Sequence, residues 1–304
     1  SGSINNISVE GHIGMIDNMA TRNVKGAYNN VGGVVGQTRK VSTDDYNKKI
    51  NTVSANVQLR ANDKVGGIAG STELTNISKA RVESYEQTSG NTQTLIIANN
   101  HIGGVVGSAC STNITYAYSY SFVNDFNTDY MSYGDIYSFV DESILGGLVG
   151  SVSKDEDAAV TTIKQSYSTF NVIASGENCL VAGLVGNAEL NSYPILEEVF
   201  YIGVLFNATE GEEDSTAKTT FAYNVKDDPS FVAGAVNGYN FYYILQYADS
   251  TDIENGTNLD CLIIAKDESF VKKCYAGDES LLTSSISTEK VLKVEIYDDE
   301  SGPY

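Results

Sequence analysis

Apolar residues and glycines recur along this chain as one short phrase. An aliphatic residue, two glycines, two aliphatic or small residues and a third glycine follow each other at intervals of roughly thirty to fifty residues. The clear copies are Val31–Gly36, Val65–Gly70, Ile102–Gly107 and Leu145–Gly150, and degenerate copies follow at Val181–Gly186 and Val232–Val236. A phrase that returns in this way indicates a stacked array of similar units rather than one globular core.

A second phrase lies between the glycine phrases. It begins with an aliphatic residue, continues with small and aromatic residues three and four positions later, and ends on another aliphatic residue nine positions from its start. Its copies begin at Ile4, Ile50, Ile77, Ile114, Ile163, Leu196 and Val271. The alternation and the β-branched residues predict half-buried strands. The copy from Ile77 is degenerate, because Arg81 stands where the others have an aromatic residue.

The paired glycines are predicted to have a structural role. Glycine weakens the interior of a strand unless another backbone passes close by or the chain bends there. Stacked glycine pairs are therefore expected to form a common corner, although flexible turns are the alternative. The glycines concerned are Gly32, Gly33, Gly66, Gly67, Gly103, Gly104, Gly146, Gly147, Gly183 and Gly234.

These patterns together predict an all-β fold, a parallel β-helix or β-solenoid of about six to seven irregular coils with inserted loops. Residues 1–260 are expected to form the repeat array, and residues 261–304 a closing segment of the same domain. The larger insertions fall at residues 124–143 and 206–230, and they are polar, acidic or aromatic. A specific function is expected there, because insertions into a repeat leave the array as loops.

The charge balance narrows the classes of partner. The chain has a net charge of −20, which argues against nucleic acid and anionic membranes, whose binding needs Lys and Arg. There is no run of 18 apolar residues, so direct membrane insertion is not expected. Acidic clusters at residues 155–157, 210–214 and 298–300 are interpreted as solvated loops. Because they lack a calcium-loop motif, we expect no cofactor, with Ca²⁺ as the alternative.

Four cysteines are present, and two of them are close in the sequence. Cys261 and Cys274 lie 13 residues apart and are candidates for a disulfide, with a buried reduced Cys274 as the alternative. Cys110 and Cys179 occupy positions that are not equivalent in the repeat. They are therefore expected to be buried free thiols.

The two phrases resemble the GLUG-type repeat, which is carried by Gly33–Gly36, Gly67–Gly70, Gly104–Gly107, Gly147–Gly150 and Gly183–Gly186. The second phrase of that family is similar to Ile163–Ser168 and to Val271–Tyr275. GLUG-type repeats occur in large secreted and cell-surface proteins, including adhesin-like proteins. The resemblance implies a β-solenoid outside the cell that serves as a spacer or adhesive stalk, and it implies no catalytic residues.

No catalytic or metal-binding motif is evident. His12 and His101 are the two histidines, and neither belongs to a metal-ligating motif. A polysaccharide-active enzyme remains the catalytic alternative, since Arg60 and Arg81 are predicted neighbours beside Asp63 or Glu83. We predict no catalytic residues and no metal site.

Tyrosines offer a better lead to binding, because a tyrosine joins apolar area to a polar tip. Tyr118 and Tyr167 align in the repeat and are expected to pack within it or to form a ladder along it. The candidate binding residues are Tyr130, Tyr133, Tyr137, Tyr239, Tyr242 and Tyr243.

The sequence thus predicts a non-catalytic extracellular or cell-surface protein, an adhesin segment, stalk or surface-filament component. Its expected partners are an extracellular protein, a glycan or other copies of itself, end to end. Two alternatives remain: an accessory module of a larger secreted enzyme that binds glycan or protein, and a polysaccharide-active enzyme.

Overall fold

The computed structural model describes residues 2–13, 28–40, 48–84, 95–121, 136–201, 205–207, 218–220, 223, 240–244, 262–265, 297–298 and 302–303. Regular structure within these residues is β-strand throughout, with no helix. The strands assemble into one large sheet, one smaller sheet and a short hairpin-like pair.

Sixteen strands form the large sheet. They are β1 Ser3–Ile13, β2 Asn29–Gly32, β4 Lys48–Gly66, β6 Thr75–Ser84, β7 Leu95–Gly103, β9 Asn113–Ser121, β10 Ile136–Ser138, β11 Ile144–Gly146, β13 Thr162–Ser168, β14 Val172–Ala174, β15 Leu180–Ala182, β17 Ile195–Tyr201, β18 Leu205–Asn207, β19 Lys218–Thr220, β20 Asn240–Ile244 and β21 Leu262–Ala265.

The smaller sheet has five parallel strands in the order β16-β12-β8-β5-β3. They are β3 Val35–Gln37, β5 Ala69–Glu73, β8 Val106–Cys110, β12 Val149–Ser153 and β16 Val185–Ala188. The remaining pair is antiparallel and consists of β22 Tyr297–Asp298 and β23 Gly302–Pro303.

The prediction of a parallel β-helix or β-solenoid of six to seven coils is wrong. The described strands lie in flat parallel sheets. The 19-residue strand β4 carries both halves of a repeat unit in one sheet, and β17, β21 and β20 pair antiparallel. A sequence repeat reports which residues of neighbouring strands lie side by side. The same register is found in a flat parallel sheet and in the closed coils of a β-solenoid. The repeat therefore did not determine whether the sheets are flat or curved into coils.

The register of the second phrase is as the repeat predicted. Parallel pairing places Ile4 beside Ile50, Ile50 beside Ile77, and Ile77 beside Ile114. It continues from Ile114 to Ile163 and from Ile163 to Leu196. Arg81 lies beside Tyr118, which confirms that it takes the aromatic position of its copy. The copy predicted from Val271 lies outside the described residues.

The glycine phrases also lie side by side. Gly32 pairs with Gly66, Gly66 with Gly103, Gly103 with Gly146, and Gly146 with Ala182. The next position in this row is Thr220 in β19, a copy that the sequence reading missed because its glycines are replaced. The copy expected at Val232–Val236, with Gly234, lies outside the described residues.

The core lies beneath the aliphatic positions of both phrases. In β4, alternate residues such as Val53, Val57 and Leu59 are at most 2% exposed. Their partners from the glycine phrases, including Val65 and Ile68, are at 0%. Alternate side chains of a strand point to opposite faces, so one face of the large sheet packs against the smaller sheet.

One position of the second phrase has left-handed backbone, and so bends the strand, in five copies. Asn6, Thr52, Lys79, Tyr116 and Gln165 occupy equivalent places, and each has a positive φ between 47° and 57°. Such left-handed backbone is strained for most residues, and asparagine tolerates it best among those present. The bend therefore comes from the packing of the array and not from the local preference of these side chains.

Candidate functional site

The glycine pairs form a stacked corner, defined by Gly32-Gly33, Gly66-Gly67, Gly103-Gly104 and Gly146-Gly147. Main-chain hydrogen bonds link the copies: Gly33 N donates to Gly67 O at 3.0 Å and Gly67 N to Gly104 O at 2.9 Å. A Cβ on Gly66 would lie 2.6 Å from Gly107 N of the next copy. Glycine is required because the backbones of successive copies approach closely here.

A buried serine ties the second phrase to this corner. Ser119 Oγ donates to Gly147 O at 2.7 Å and also lies 2.7 Å from Ser168 Oγ, the equivalent serine of the next copy. Ser119 and Ser168 are 0% exposed. A Cβ on Gly104 would lie 2.7 Å from the Ser119 side chain. The two phrases recur together because the serine of one occupies the space that the glycine of the other leaves open.

Aromatic side chains form a second row along the sheet. Tyr118 and Tyr167 are stacked with ring centroids 5.0 Å apart, and they are 3% and 4% exposed. This confirms the expectation that they pack along the repeat. Tyr118 OH donates to Glu83 Oε1 at 2.8 Å. Burial, followed by the charge of Glu83, raises the pKa of the Tyr118 phenol far above its ordinary value.

The predicted binding tyrosine within the described side chains is Tyr137, and it is buried. It is 6% exposed and packs with Ile97 and Ile173 in a small cluster outside the main core. Its ring stacks on Phe139 with centroids 5.9 Å apart. Tyr130, Tyr133 and Tyr239 lie outside the described residues, and Tyr242 and Tyr243 belong to β20. The binding role of all these tyrosines stays a prediction.

An aspartate and a histidine from adjacent strands form a partly buried pair that sequence spacing does not reveal. His101 Nδ1 lies 2.7 Å from Asp63 Oδ1, and their side chains are 25% and 26% exposed. Burial by itself raises the pKa of Asp63. The hydrogen bond and charge of His101, helped by Lys64, outweigh burial and hold that pKa below 3.8. An aspartate orients a histidine in this way in many hydrolases, but no nucleophile adjoins this pair in the described contacts.

A second charged pair joins distant parts of the sequence. Lys40 Nζ contacts both carboxylate oxygens of Asp155, at 2.9 and 2.8 Å, although 115 residues separate them. The Lys40 main-chain N donates to Glu73 Oε2 at 2.6 Å. The hydrogen bond to Asp155 raises the pKa of Lys40 and lowers that of Asp155. Part of the acidic cluster at residues 155–157 thus has a specific partner, Lys40, whereas the favoured prediction was of a solvated loop, with Ca²⁺ as the alternative.

Side-chain amides form short ladders on the outside of the large sheet. Asn62 Nδ2 donates to Asn29 Oδ1 at 3.0 Å, and Asn99 Nδ2 donates to Asn62 Oδ1 at 2.9 Å. Neighbouring strands are about 4.8 Å apart, so these polar groups repeat at that interval. A row of hydrogen-bond donors and acceptors at a fixed spacing suits a polar ligand with a repeating structure. The same ladder also gives these asparagine side chains hydrogen-bond partners in one another.

The described cysteines are free thiols. Cys179 is buried, as expected, and its Sγ lies 3.0 Å from Ser143 Oγ. Cys110 is only partly buried, so the prediction of burial is wrong for it. Burial raises its pKa, and Glu73, Asp155 and Glu189 add to the rise against the hydrogen bond of Ser153. Cys261 and Cys274 lie outside the described residues, and their disulfide stays a prediction.

In the part of the chain that the structure describes, no group of three or more His, Cys, Asp or Glu side chains is arranged to hold a metal ion. No helix there is long and apolar enough to cross a membrane.

Comparison with known proteins adds no relative. No family model matches the chain, and neither curated proteins nor solved structures give a significant match. The resemblance to the GLUG-type repeat therefore depends on the repeat phrases alone, and membership of that family stays a prediction.

Proposed function

We propose that this protein is a non-catalytic structural segment outside the cell or on its surface, acting as an adhesin segment, a stalk or a component of a surface filament. One observation carries the proposal: successive copies of both phrases pair in parallel and in register over six copies, from Ile4 to Leu196. Pairing of this kind builds an extended and regular body.

Internal hydrogen bonding supports a mechanical role. The glycine corners are joined from copy to copy by main-chain bonds, and Ser119 ties the second phrase to the corner of the next copy. Lys40 and Asp155 add a contact across several copies. A body whose neighbouring units are linked by backbone bonds resists bending, which is what a stalk or filament requires.

The proposal does not depend on the lack of an arranged set of catalytic side chains among the described residues. Among the described residues, Asp63 and His101 form a hydrogen-bonded acid–base pair, and Arg81 lies in a different row of the sheet, beside Tyr118. The resemblance to GLUG-type repeats supports placement outside the cell, since those repeats belong to secreted and surface proteins.

A second candidate function is the binding of a glycan as an accessory module. The amide ladder of Asn29, Asn62 and Asn99 favours it, because these groups repeat at the strand spacing on the outer side of the sheet. Variants with alanine at Asn62 and Asn99 would lose glycan binding under this alternative.

A polysaccharide panel tests the non-catalytic part of the proposal. The purified chain is incubated with acidic and neutral polysaccharides, and new reducing ends and unsaturated sugars are measured. We expect none above a heat-denatured control. Release of products that disappears in Asp63→Asn or Arg81→Ala would overturn the proposal in favour of an enzyme.

An array of glycans and extracellular-matrix proteins, with and without Ca²⁺, then separates the adhesive role from the mechanical one. Saturable binding that is lost in a Tyr130→Ala/Tyr133→Ala variant and retained in Tyr28→Ala would support an adhesin segment. Tyr28 suits as the control because it is 58% exposed. Binding to nothing on the array would contradict the adhesin role and support a stalk or filament.

A further inference from the structure

The left-handed residue of the second phrase turns additional side chains toward the outer side of the large sheet. Ile77 and Ala80 are 1% and 0% exposed, although side chains three residues apart in a regular strand point to opposite faces. Both are buried because Lys79, which lies between them, has a φ of 52°. Ser78 and Lys79 therefore both face outward, and both are only partly buried.

The same arrangement recurs in the neighbouring strands β4, β9 and β13 and defines an outer polar face. This face consists of three positions in each of the four strands, one before and two after the buried residues Ile50, Ile77, Ile114 and Ile163. Parallel pairing places equivalent positions side by side from β4 to β13. Left-handed backbone at residues other than glycine is costly and is concentrated at functional sites.

The charge of the outer polar face differs from that of the whole chain. The sequence has 39 Asp or Glu against 19 Lys or Arg, but this face has three lysines, Lys49, Lys79 and Lys164, and no acidic residue. Lys164 pairs with Glu197 of the next strand, β17. A carboxylate beneath a neutral ligand would lose its water at a high cost, whereas a lysine keeps its ammonium group in water at the end of a long stem. The face therefore suits an uncharged ligand, because the net charge of −20 repels a polyanion.

Amide and hydroxyl side chains form two parallel rows on this face. In the first row, Asn113 Nδ2 donates to Asn76 Oδ1 at 2.9 Å, and Thr162 Oγ1 donates to Asn113 Oδ1 at 2.8 Å. In the second row, Ser78 Oγ donates to Asn51 Oδ1 at 2.6 Å. A side-chain amide has two N–H donors and two carbonyl lone pairs, so the exposed Asn113 has one of each beyond these bonds. The rows hold their side chains in place before a ligand binds, which lowers the entropic cost of binding.

An exposed tyrosine adds an apolar surface beside these rows. Tyr116 occupies the left-handed position of β9 and is 37% exposed. Its ring offers a flat apolar area with a polar tip. A sugar ring has C–H groups on its faces and hydroxyl groups at its edge, so it packs on an aromatic ring while its hydroxyls bond to neighbouring amides. Strands lie about 4.8 Å apart, and successive sugars of an extended chain can therefore meet equivalent polar groups on successive strands.

We propose that the outer polar face binds an extended, neutral polysaccharide, whose chain crosses β4, β6, β9 and β13 along the two rows with one sugar ring stacked on Tyr116. The inference rests on the adhesive form of the proposed function, and it names the class of partner and the site. This site is separate from the amide ladder of Asn29, Asn62 and Asn99, which belongs to other positions of the sheet.

Native affinity electrophoresis tests the inference. A chain with a net charge of −20 migrates readily, whereas a neutral polysaccharide cast in the gel does not migrate, so retardation of the chain measures binding. The neutral probes are hydroxyethyl cellulose and glucomannan, and carboxymethyl cellulose is the charged counterpart of the first. We expect at least one neutral probe to retard the chain, and carboxymethyl cellulose to do so less than hydroxyethyl cellulose. No retardation by either neutral probe would overturn the inference, as would stronger retardation by carboxymethyl cellulose.

Two substitutions locate the binding face. Tyr116→Asn removes the ring but keeps a residue that tolerates left-handed backbone, and Asn113→Ala removes the central amide of the first row. Each should raise the dissociation constant by about tenfold. Tyr28→Asn is the matched control and should bind like the unmodified chain, because Tyr28 is 58% exposed and lies outside the face. Circular dichroism establishes whether each variant keeps its strands.

Asn62→Ala separates this face from the amide ladder. It should leave binding unchanged if the outer polar face is the site. Loss of binding in Asn62→Ala, with full binding in both Tyr116→Asn and Asn113→Ala, would overturn the inference in favour of the ladder. A chain that binds none of the probes and cleaves no polysaccharide would still leave the stalk or filament role standing.

Discussion

The glycine corner makes the strongest prediction about stability, through the substitution Gly104→Ala. The added methyl group would lie 2.7 Å from the Ser119 side chain and closer still to the carbonyl of Gly147. Neither neighbour is the free end of a flexible chain, because Ser119 is 0% exposed and its hydroxyl bonds to Gly147 O. The backbone of two copies must therefore separate for the methyl group to fit.

The magnitude follows from two contributions. Overpacking a well-packed core by one methyl group costs about 1–3 kcal/mol. Separation of the copies also weakens the buried hydrogen bond from Ser119, which contributes about 1 kcal/mol. We expect Gly104→Ala to lower the free energy of unfolding by about 3 kcal/mol.

Urea denaturation followed by circular dichroism measures this loss as a fall in the transition midpoint at an unchanged slope. Gly2→Ala is the matched control, since nothing lies within 4 Å of a Cβ at Gly2. The double variant Gly104→Ala/Ser119→Gly should recover part of the loss by removing one of the two obstacles. Equal stability of Gly104→Ala and Gly2→Ala would refute the close approach of copies at this corner.

Three further predictions follow from other parts of the array. Tyr118→Phe should lower the free energy of unfolding by about 2 kcal/mol, because it removes the buried hydrogen bond that Tyr118 donates to the Glu83 carboxylate, and ultraviolet titration should show no Tyr118 phenolate until the chain unfolds. The folded pKa of Asp63 is lowered, so its stabilisation is present above pH 3.8 and is lost as the pH falls through the folded pKa. The melting temperature, measured at a series of acidic pH values, should therefore fall less steeply with decreasing pH in Asp63→Asn than in the unmodified chain. An equally steep fall in both chains would contradict the pairing of Asp63 with His101. Thr52→Asn should raise the free energy of unfolding by about 1 kcal/mol, seen as a higher urea midpoint, because Thr52 has a φ of 52° that asparagine adopts more easily. A lower urea midpoint in this variant would contradict backbone strain at Thr52.

The aromatic and acidic side chains show where sequence reasoning succeeded in part. The repeat correctly placed Tyr118 beside Tyr167, because equivalent residues of paired strands must be neighbours. It did not reveal that Tyr137 would be buried with Ile97 and Ile173, since that cluster joins strands outside the two phrases. Nor did it reveal the pairing of Lys40 with Asp155, which depends on side chains reaching across copies.

The sequence by itself determined the strands and their register. Alternating apolar residues specify strands, and repeated phrases specify which residues lie side by side, so Ile4 through Leu196 aligned as predicted. Only the tertiary structure decided the curvature of the sheets, the antiparallel end at β20 and β21, and the pairing of Asp63 with His101. These features depend on how sheets pack and on contacts between residues without a repeated pattern. A local sequence signal carries neither kind of information.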